Sequence, residues 1–251
     1  MAGAGRSPWL GVFVAVAVAV GAVWVTLVDN GVTTSDPPPY TTGSEAEQEA
    51  WFAWVTTVLP QSRVARAVLA LGLLGVGLTA LRAALPAWAS RGGAVAVMSA
   101  AGLWSVADLA EAGGQQAIAL MAASGNPIES VTVAAFTVEV TTSFVEAGAA
   151  VLVGVGAAVM GREFLREGRT RRLGICSVLV GLAGVVFGVL IVLPETDTTI
   201  SGIALGVILL PVWVVWLTRS VTSYGASTRD GHGAASRPPR LGPVGQAGSQ
   251  Q

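Results

Sequence analysis

Between Val131 and Met160 the chain reads VTVAAFTVEVTTSFVEAGAAVLVGVGAAVM, an apolar run that carries two carboxylates, Glu139 and Glu146. A run this apolar and this long belongs in a bilayer. A charged side chain at the centre of such a helix costs on the order of 3 kcal/mol unless it is paired, protonated or turned toward water. The segment therefore needs neighbours, and the rest of the chain must supply them.

Five further apolar runs do so. Trp9 to Val28 follows Arg6 and has the form of a signal anchor, the first span (9–28). A cleaved signal peptide is the alternative, because Ala-Val-Ala repeats offer small residues to a peptidase. Its apolar stretch nevertheless exceeds the roughly 7–15 residues of a secretory signal. The remaining spans are expected at 64–81, 93–112, 131–160, 173–193 and 200–217. At about 1.5 Å per residue the fourth is longer than the roughly 30 Å hydrocarbon core, so it tilts or projects. The fold class expected is all-α, a polytopic six-helix transmembrane bundle.

Composition agrees. The chain has 251 residues, 53% of them hydrophobic and 12% charged, with a mean hydropathy of +0.67; a soluble domain carries about 25% charged residues. A net charge of −1 with no basic face excludes nucleic acid as a partner. A single cysteine, Cys176, excludes an internal disulfide and a Cys/His metal site.

The connections divide by charge. All 14 basic residues are arginines, and 12 of them lie before the first span, around Arg82 and Arg91, in 162–172, or from Arg219 onward. The alternate connections carry Asp29, Asp36, Glu45, Glu47, Glu49, Glu129, Glu195 and Asp197. Arginine is retained on the cytoplasmic side. Six spans of a plasma-membrane protein with residues 1–8 and the tail 219–251 both cytoplasmic satisfy every connection; Arg63 and Arg66 are the exceptions.

The first outer connection, 29–63, holds a polyproline segment, Pro37-Pro38-Pro39-Tyr40, which reads as a stiff spacer and is similar to a WW-domain ligand. Ser44 and Glu47 then form a capping box. Trp51, Phe52, Val55, Val58 and Leu59 follow at helical spacing. A short amphipathic helix on the outer surface, 44–59, is expected to end at Pro60, or else to bend directly into the second span. In the third span Gly113-Gly114 favours an end near Ala112. Continuation to Met121 would carry Asp108 and Glu111 toward the middle of the membrane. Ser124 to Ser130, with Gly125, Asn126 and Pro127, is a turn. The fifth span repeats glycine at 174, 181 and 188, and both Gly184/Gly188 and Gly202/Gly206 form GxxxG pairs. Such faces admit close helix contact, within the chain or with a second copy or membrane partner. Pro211 is expected to kink the sixth span.

Glu139 and Glu146 stand seven residues apart, on one helical face with Thr132, Thr142 and Ser143. Trp104, Ser105, Asp108, Glu111 and Gln115 share a stripe on the third span. Neither stripe can face lipid, so the candidate site is an outward polar cluster of Arg63, Arg66, Asp108, Glu111, Glu139 and, deeper, Glu146. Acids outnumber bases, so Glu139 or Glu146 is expected to hold a proton. The cluster reads as a site for a cation, proton or polar solute, or as a buried ion network that fixes helix register.

Recognisable catalytic sets are missing. The one histidine, His232, lies in the tail, and no intramembrane Ser/His pair, GxGD, EExxxR or phosphate loop is present. The expectation is a protein that is not an enzyme and needs no cofactor or metal. The arginines of 162–172 set topology or touch anionic lipid headgroups. Arg171-Arg172-Leu173-Gly174, followed by Val178-Leu179-Val180-Gly181-Leu182-Ala183-Gly184, resembles the basic turn and Gly-rich fifth span of small six-span bacterial membrane proteins. The resemblance implies the architecture only, since those proteins have no assigned activity.

Overall fold

Hydrocarbon offers backbone N–H and C=O groups no water, so each apolar run must satisfy them internally, which a helix does. The computed structural model describes residues 9–29, 44–85, 90–167, 171–193 and 198–220. Within these lie six helices, each long and apolar enough to cross a membrane. They are α1 (Trp9–Asp29), α2 (Glu45–Ala84), α3 (Arg91–Ala123), α4 (Ile128–Arg166), α5 (Arg171–Val192) and α6 (Thr199–Ser220). The Pro37–Tyr40 spacer, the Pro86 and Trp88 turn, the 168–170 part of the arginine loop, Arg6, His232 and the tail lie outside the described residues.

Each helix packs on the one before it and the one after, and α6 closes against α1, so the six form a ring. Small residues set the spacing. A Cβ added at Gly21 would fall 2.7 Å from the Leu69 backbone, and one at Gly72 would fall 2.8 Å from Val18 N. The seam between α4 and α5 is as close and carries more glycines. Gly154, Gly161, Gly174, Gly181, Gly184 and Gly188 all lie on it. An added Cβ at Gly184 would stand 2.8 Å from Ala150 O, and one at Gly188 2.6 Å from Ala147 O. Gly202 faces Phe187, and Gly206 faces Ala22. The four GxxxG glycines, whose faces were expected to meet a helix of this chain, a second copy or a membrane partner, make contacts inside this chain.

One end of the ring carries Arg82, Arg91, Arg162, Arg166, Arg171, Arg172 and Arg219. Met160, Phe164, Trp213 and Leu217 fill its interior there, each with at most 1% of its surface exposed. Trp213 Nε1 donates to Ser177 Oγ at 2.8 Å, so the buried indole is satisfied. Arg91 Nη2 donates to Leu85 O at 3.0 Å, closing the end of α2.

The other end, rich in acids, is uneven. α1, α5 and α6 have 21 or 22 residues, about 32 Å, which matches a bilayer core. α2, α3 and α4 have 40, 33 and 39 residues, and their surplus projects past the other three at the acidic end. The Gly21–Leu69 contact places Asp29, the end of α1, near the level of Gln61. The projection has its own small core of Phe52, Ile118, Val131 and Ala135, flanked by Trp51, Met121 and Val138. The α3–α4 turn lies at its tip, where Gly125 takes φ +72°, a left-handed conformation that favours glycine.

Two expected breaks are absent. The surface helix 44–59 and the span 64–81 are one continuous helix, α2, with Pro60 inside it. Its first turn keeps the expected cap, Ser44 N donating to Glu47 Oε2 at 2.6 Å. The helix carries on because Phe52 and Val55, before Pro60, and Ser62, after it, are all buried in the bundle. The lost proline hydrogen bond is outweighed by that continuous face. Likewise α3 does not stop near Ala112: Gly114 packs on Val138, and the helix runs to Ala123. Pro211 leaves a different mark. Residues Ala204–Leu209 form a π-helical turn, with Leu210 N bonded to Leu205 O. A proline cannot donate to the carbonyl four residues back, and wider pairing just before it absorbs that defect.

Gly184→Val is expected to destabilise the bundle by about 1–3 kcal/mol through overpacking. Gly148→Val, where an added Cβ meets nothing within 4 Å, should leave the melting temperature nearly unchanged. Thermal unfolding in detergent measures both, and equal shifts would refute a tight α4–α5 seam.

Candidate functional site

Two residues on α2 and three on α3 meet across one seam. Ser62 and Arg66 are one turn apart on α2, and Asp108, Glu111 and Gln115 follow at helical spacing on α3. Arg66 Nη2 donates to Glu111 Oε1 at 2.6 Å, and Nη1 lies 3.7 Å from Asp108 Oδ1. Gln115 Nε2 donates to the same Glu111 oxygen at 3.2 Å, and Ser62 Oγ donates to Gln115 Oε1 at 3.1 Å. One step further along, on Leu69's side of the ladder, Ser105 Oγ reaches Ala70 O at 2.9 Å. The α3 stripe read from the sequence is therefore the face that α3 turns to α2. The Arg66 and Asp108 side chains are 6% and 2% exposed, so neither charge has water as a substitute partner.

Glu139 and Glu146 come to the same place from α4. With Arg66, Asp108 and Glu111 they line a cavity of about 400 Å³ bounded by all six helices. Thr142 and Ser143 add hydroxyls to the α4 wall, and Thr26 stands on α1 and Thr198 just before α6. The opposite end of the cavity is apolar, with Val18, Leu73 and Leu210. Trp104 and Phe187 line it as a stacked pair, with ring centroids 5.9 Å apart at 20°. From Thr26 to Val18 the cavity descends eight residues of α1, about 12 Å, to near the middle of that helix.

Depth follows from helix register. Gly188 faces Ala147, so Glu146 stands about one turn inside the end of α5 at Val192. Glu139 lies two turns nearer the acidic end, beyond that helix. Glu146 is the deeper of the two, as expected. Asp108 and Glu111 satisfy neither alternative drawn for the third span. The helix does run past Ala117, yet its acids stay near the surface, because the last part of α3 belongs to the projection.

The side-chain environments differ. Glu111 and Glu146 are partly buried, while Glu139 is exposed into the cavity mouth. Among the described residues the Glu139 carboxylate makes no hydrogen bond or ion pair. Four carboxylates face one guanidinium, so the wall has a surplus of negative charge. Among the described residues no three His, Cys, Asp or Glu side chains are grouped closely enough to hold a metal ion.

Arg63 does not join the cluster. It is exposed on the outside of the ring, in a separate groove between α2 and α3. Three residues along a helix turn a side chain by about 60°, enough to move it from the seam to the outer face. Sequence reasoning also missed Ser62 as a member of the ladder and Thr26, Thr198 and the aromatic pair as lining groups. Trp104 lay on the α3 stripe and could have been included; nothing marked Phe187 out from the apolar run around it.

Fold and cavity together define the class: a polytopic α-helical membrane protein with a charged, aromatic-floored cavity at one end. No protein-family model matches the chain, and no curated protein or solved structure is similar to it.

Arg66→Met should cost about 3–5 kcal/mol, because it strands Asp108 in a buried site. The double variant Arg66→Met, Asp108→Asn should recover much of that loss, and Arg63→Gln should change stability in detergent by at most about 0.5 kcal/mol. Thermal unfolding of the purified protein reads all three; an Arg63→Gln loss as large as that of Arg66→Met contradicts the assignment.

Proposed function

We propose that this is a plasma-membrane protein that binds a small cationic solute from outside the cell, for its transport or sensing. The arginine end faces the cytoplasm in this reading, because arginine is retained there. The cavity then opens toward the extracytoplasmic side. The observation that carries the proposal is the four-to-one excess of carboxylates over arginine in a cavity of about 400 Å³, a volume within the usual range of ligand pockets. The Glu139 carboxylate, which makes no hydrogen bond or ion pair among the described residues, is the group best placed to meet a cation first. Glu146 lies behind it, above the aromatic pair.

The same geometry favours an organic cation over a bare metal ion. The carboxylates are spread along the wall rather than gathered into a coordination shell. The floor of Trp104 and Phe187 suits an apolar body or a cation–π contact. The protein is read here as non-enzymatic, with the acids and the guanidinium of the site serving to bind a ligand.

Below the cavity, Met160, Phe164 and Trp213 close the path to the arginine end. Transport therefore requires α6 or its neighbours to move, and the π-helical turn Ala204–Leu209 flanks the cavity where such a shift would start. Sensing requires only binding. A second reading, a membrane scaffold or partner subunit, is favoured by the Arg66 ladder, which ties α2 to α3 whether or not a ligand binds.

The test is binding of benzyltrimethylammonium to the purified protein, followed by its flux in proteoliposomes. Glu139→Gln with Glu146→Gln should weaken binding at least about tenfold, or about 1.4 kcal/mol, at unchanged membrane yield. Flux lost with binding supports transport, and binding without flux supports sensing. No binding by the wild type, with yield falling in the Gln variants, establishes the structural reading instead.

A further inference from the structure

Arg63 poses a problem that the cavity does not solve. It is exposed on the outer surface of the ring, on a helix that crosses the membrane. Its register against α1 puts it level with Leu27, within one turn of the end of that helix. That is the depth at which apolar side chains give way to lipid headgroups. Among the described residues no acid or hydrogen-bond acceptor meets its guanidinium. An arginine there gains its partner from the interface, with its stem lying along apolar surface.

The surface beside it is shaped. Arg63 stands at one end of a groove of about 620 Å³ between α2 and α3. Val64, Val68, Leu71 and Leu109 line the groove and carry no charge. Val64, Leu109 and Leu71 are 51%, 52% and 70% exposed, which in a membrane means exposed to acyl chains. Gly113 keeps the α3 wall low, and a Cβ built there would meet nothing within 4 Å. From Arg63 to Leu71 the groove runs eight residues, about 12 Å, toward the middle of the membrane.

We infer that this groove holds one anionic phospholipid of the leaflet at the acidic end. Its phosphate would sit on Arg63 and one acyl chain between α2 and α3. Charge complementarity selects the occupant. The guanidinium presents paired donors that match a phosphate, and the apolar floor matches a hydrocarbon chain. A headgroup with net negative charge, such as phosphatidylglycerol, is preferred over a zwitterionic one, whose ammonium would oppose the arginine. The inference needs only that α2 and α3 cross the membrane, and stands or falls apart from the cation cavity.

Two variants divide the site. Arg63→Gln removes the phosphate partner and leaves the groove. Gly113→Leu fills the groove and leaves the arginine, with no buried neighbour to displace. The full-length protein, delipidated in detergent, is titrated with phosphatidylglycerol, phosphatidylcholine or glycerol phosphate, and bound lipid is counted by native mass spectrometry. The wild type should retain one phosphatidylglycerol in preference to phosphatidylcholine. Arg63→Gln should weaken that adduct about fivefold, the effect of one arginine near a membrane surface, and abolish the preference. Gly113→Leu should weaken both lipids. Glycerol phosphate should not compete. Unchanged preference in Arg63→Gln, full retention in Gly113→Leu, or competition by glycerol phosphate would each overturn the inference.

Discussion

The ion contact between Arg66 on α2 and Asp108 and Glu111 on α3 is the constraint to which the acidic end of the bundle answers. Each partner alone would be a charge that hydrocarbon cannot solvate. Together they fix the rotation of both helices, because the guanidinium fork must face α3 and both carboxylates must face α2. The ladder continues through Gln115 to Ser62, which carries the α2–α3 register into the projecting part. That projection in turn sets the level of α4, through Phe52, Ile118 and Val131. Glu139 and Glu146 arrive at the cavity because α4 is held there.

Close packing and open space are distributed along the ring in a way that follows from side-chain size. Where α4 meets α5, glycine and alanine face each other and the backbones approach closely, in the manner of glycine-rich membrane helices. At the arginine end the interior is filled by tryptophan, phenylalanine and methionine. At the acidic end the inward positions are threonine, serine, glycine and carboxylates, which do not fill a ring of six helices. The cavity is thus the volume that small and charged inward residues leave behind, and its floor is where the first large side chains, Trp104 and Phe187, reach across.

Hydrophobicity and helical period made the six helices legible in the sequence, because bilayer thickness and the 3.6-residue repeat act on each segment alone. The stripes on α3 and α4 were legible for the same reason, and Arg66, Asp108, Glu111, Glu139 and Glu146 do line one cavity. What the sequence concealed depends on contacts between segments. Pro60 and Gly113-Gly114 are strong local signals for an end, yet both helices continue, because burial against neighbouring helices overrides local propensity. The contributions of α1 and α6 to the cavity wall could not be read, since Thr26 and Thr198 are ordinary residues until a ring brings them together. The GxxxG pairs were read correctly as contact faces, but a glycine pattern carries no label saying whose helix fills it.

Arg63 and Arg66 show how little separates two fates. They share a helix, a depth and a charge, and both break the arginine asymmetry of the chain. A turn of about 60° places one in the seam and the other on the outer face. The inner arginine finds Asp108 and Glu111 at fixed positions, so its charge becomes part of the fold and cannot be removed without stranding an acid. Among the described residues no acid meets the outer arginine, and its side chain is exposed rather than packed in the seam. A charge that no described side chain balances at such a depth is met, in the inference drawn above, from outside the polypeptide. The bilayer itself supplies anions at that level, and the groove running down from Arg63 gives such an anion's tail somewhere to lie.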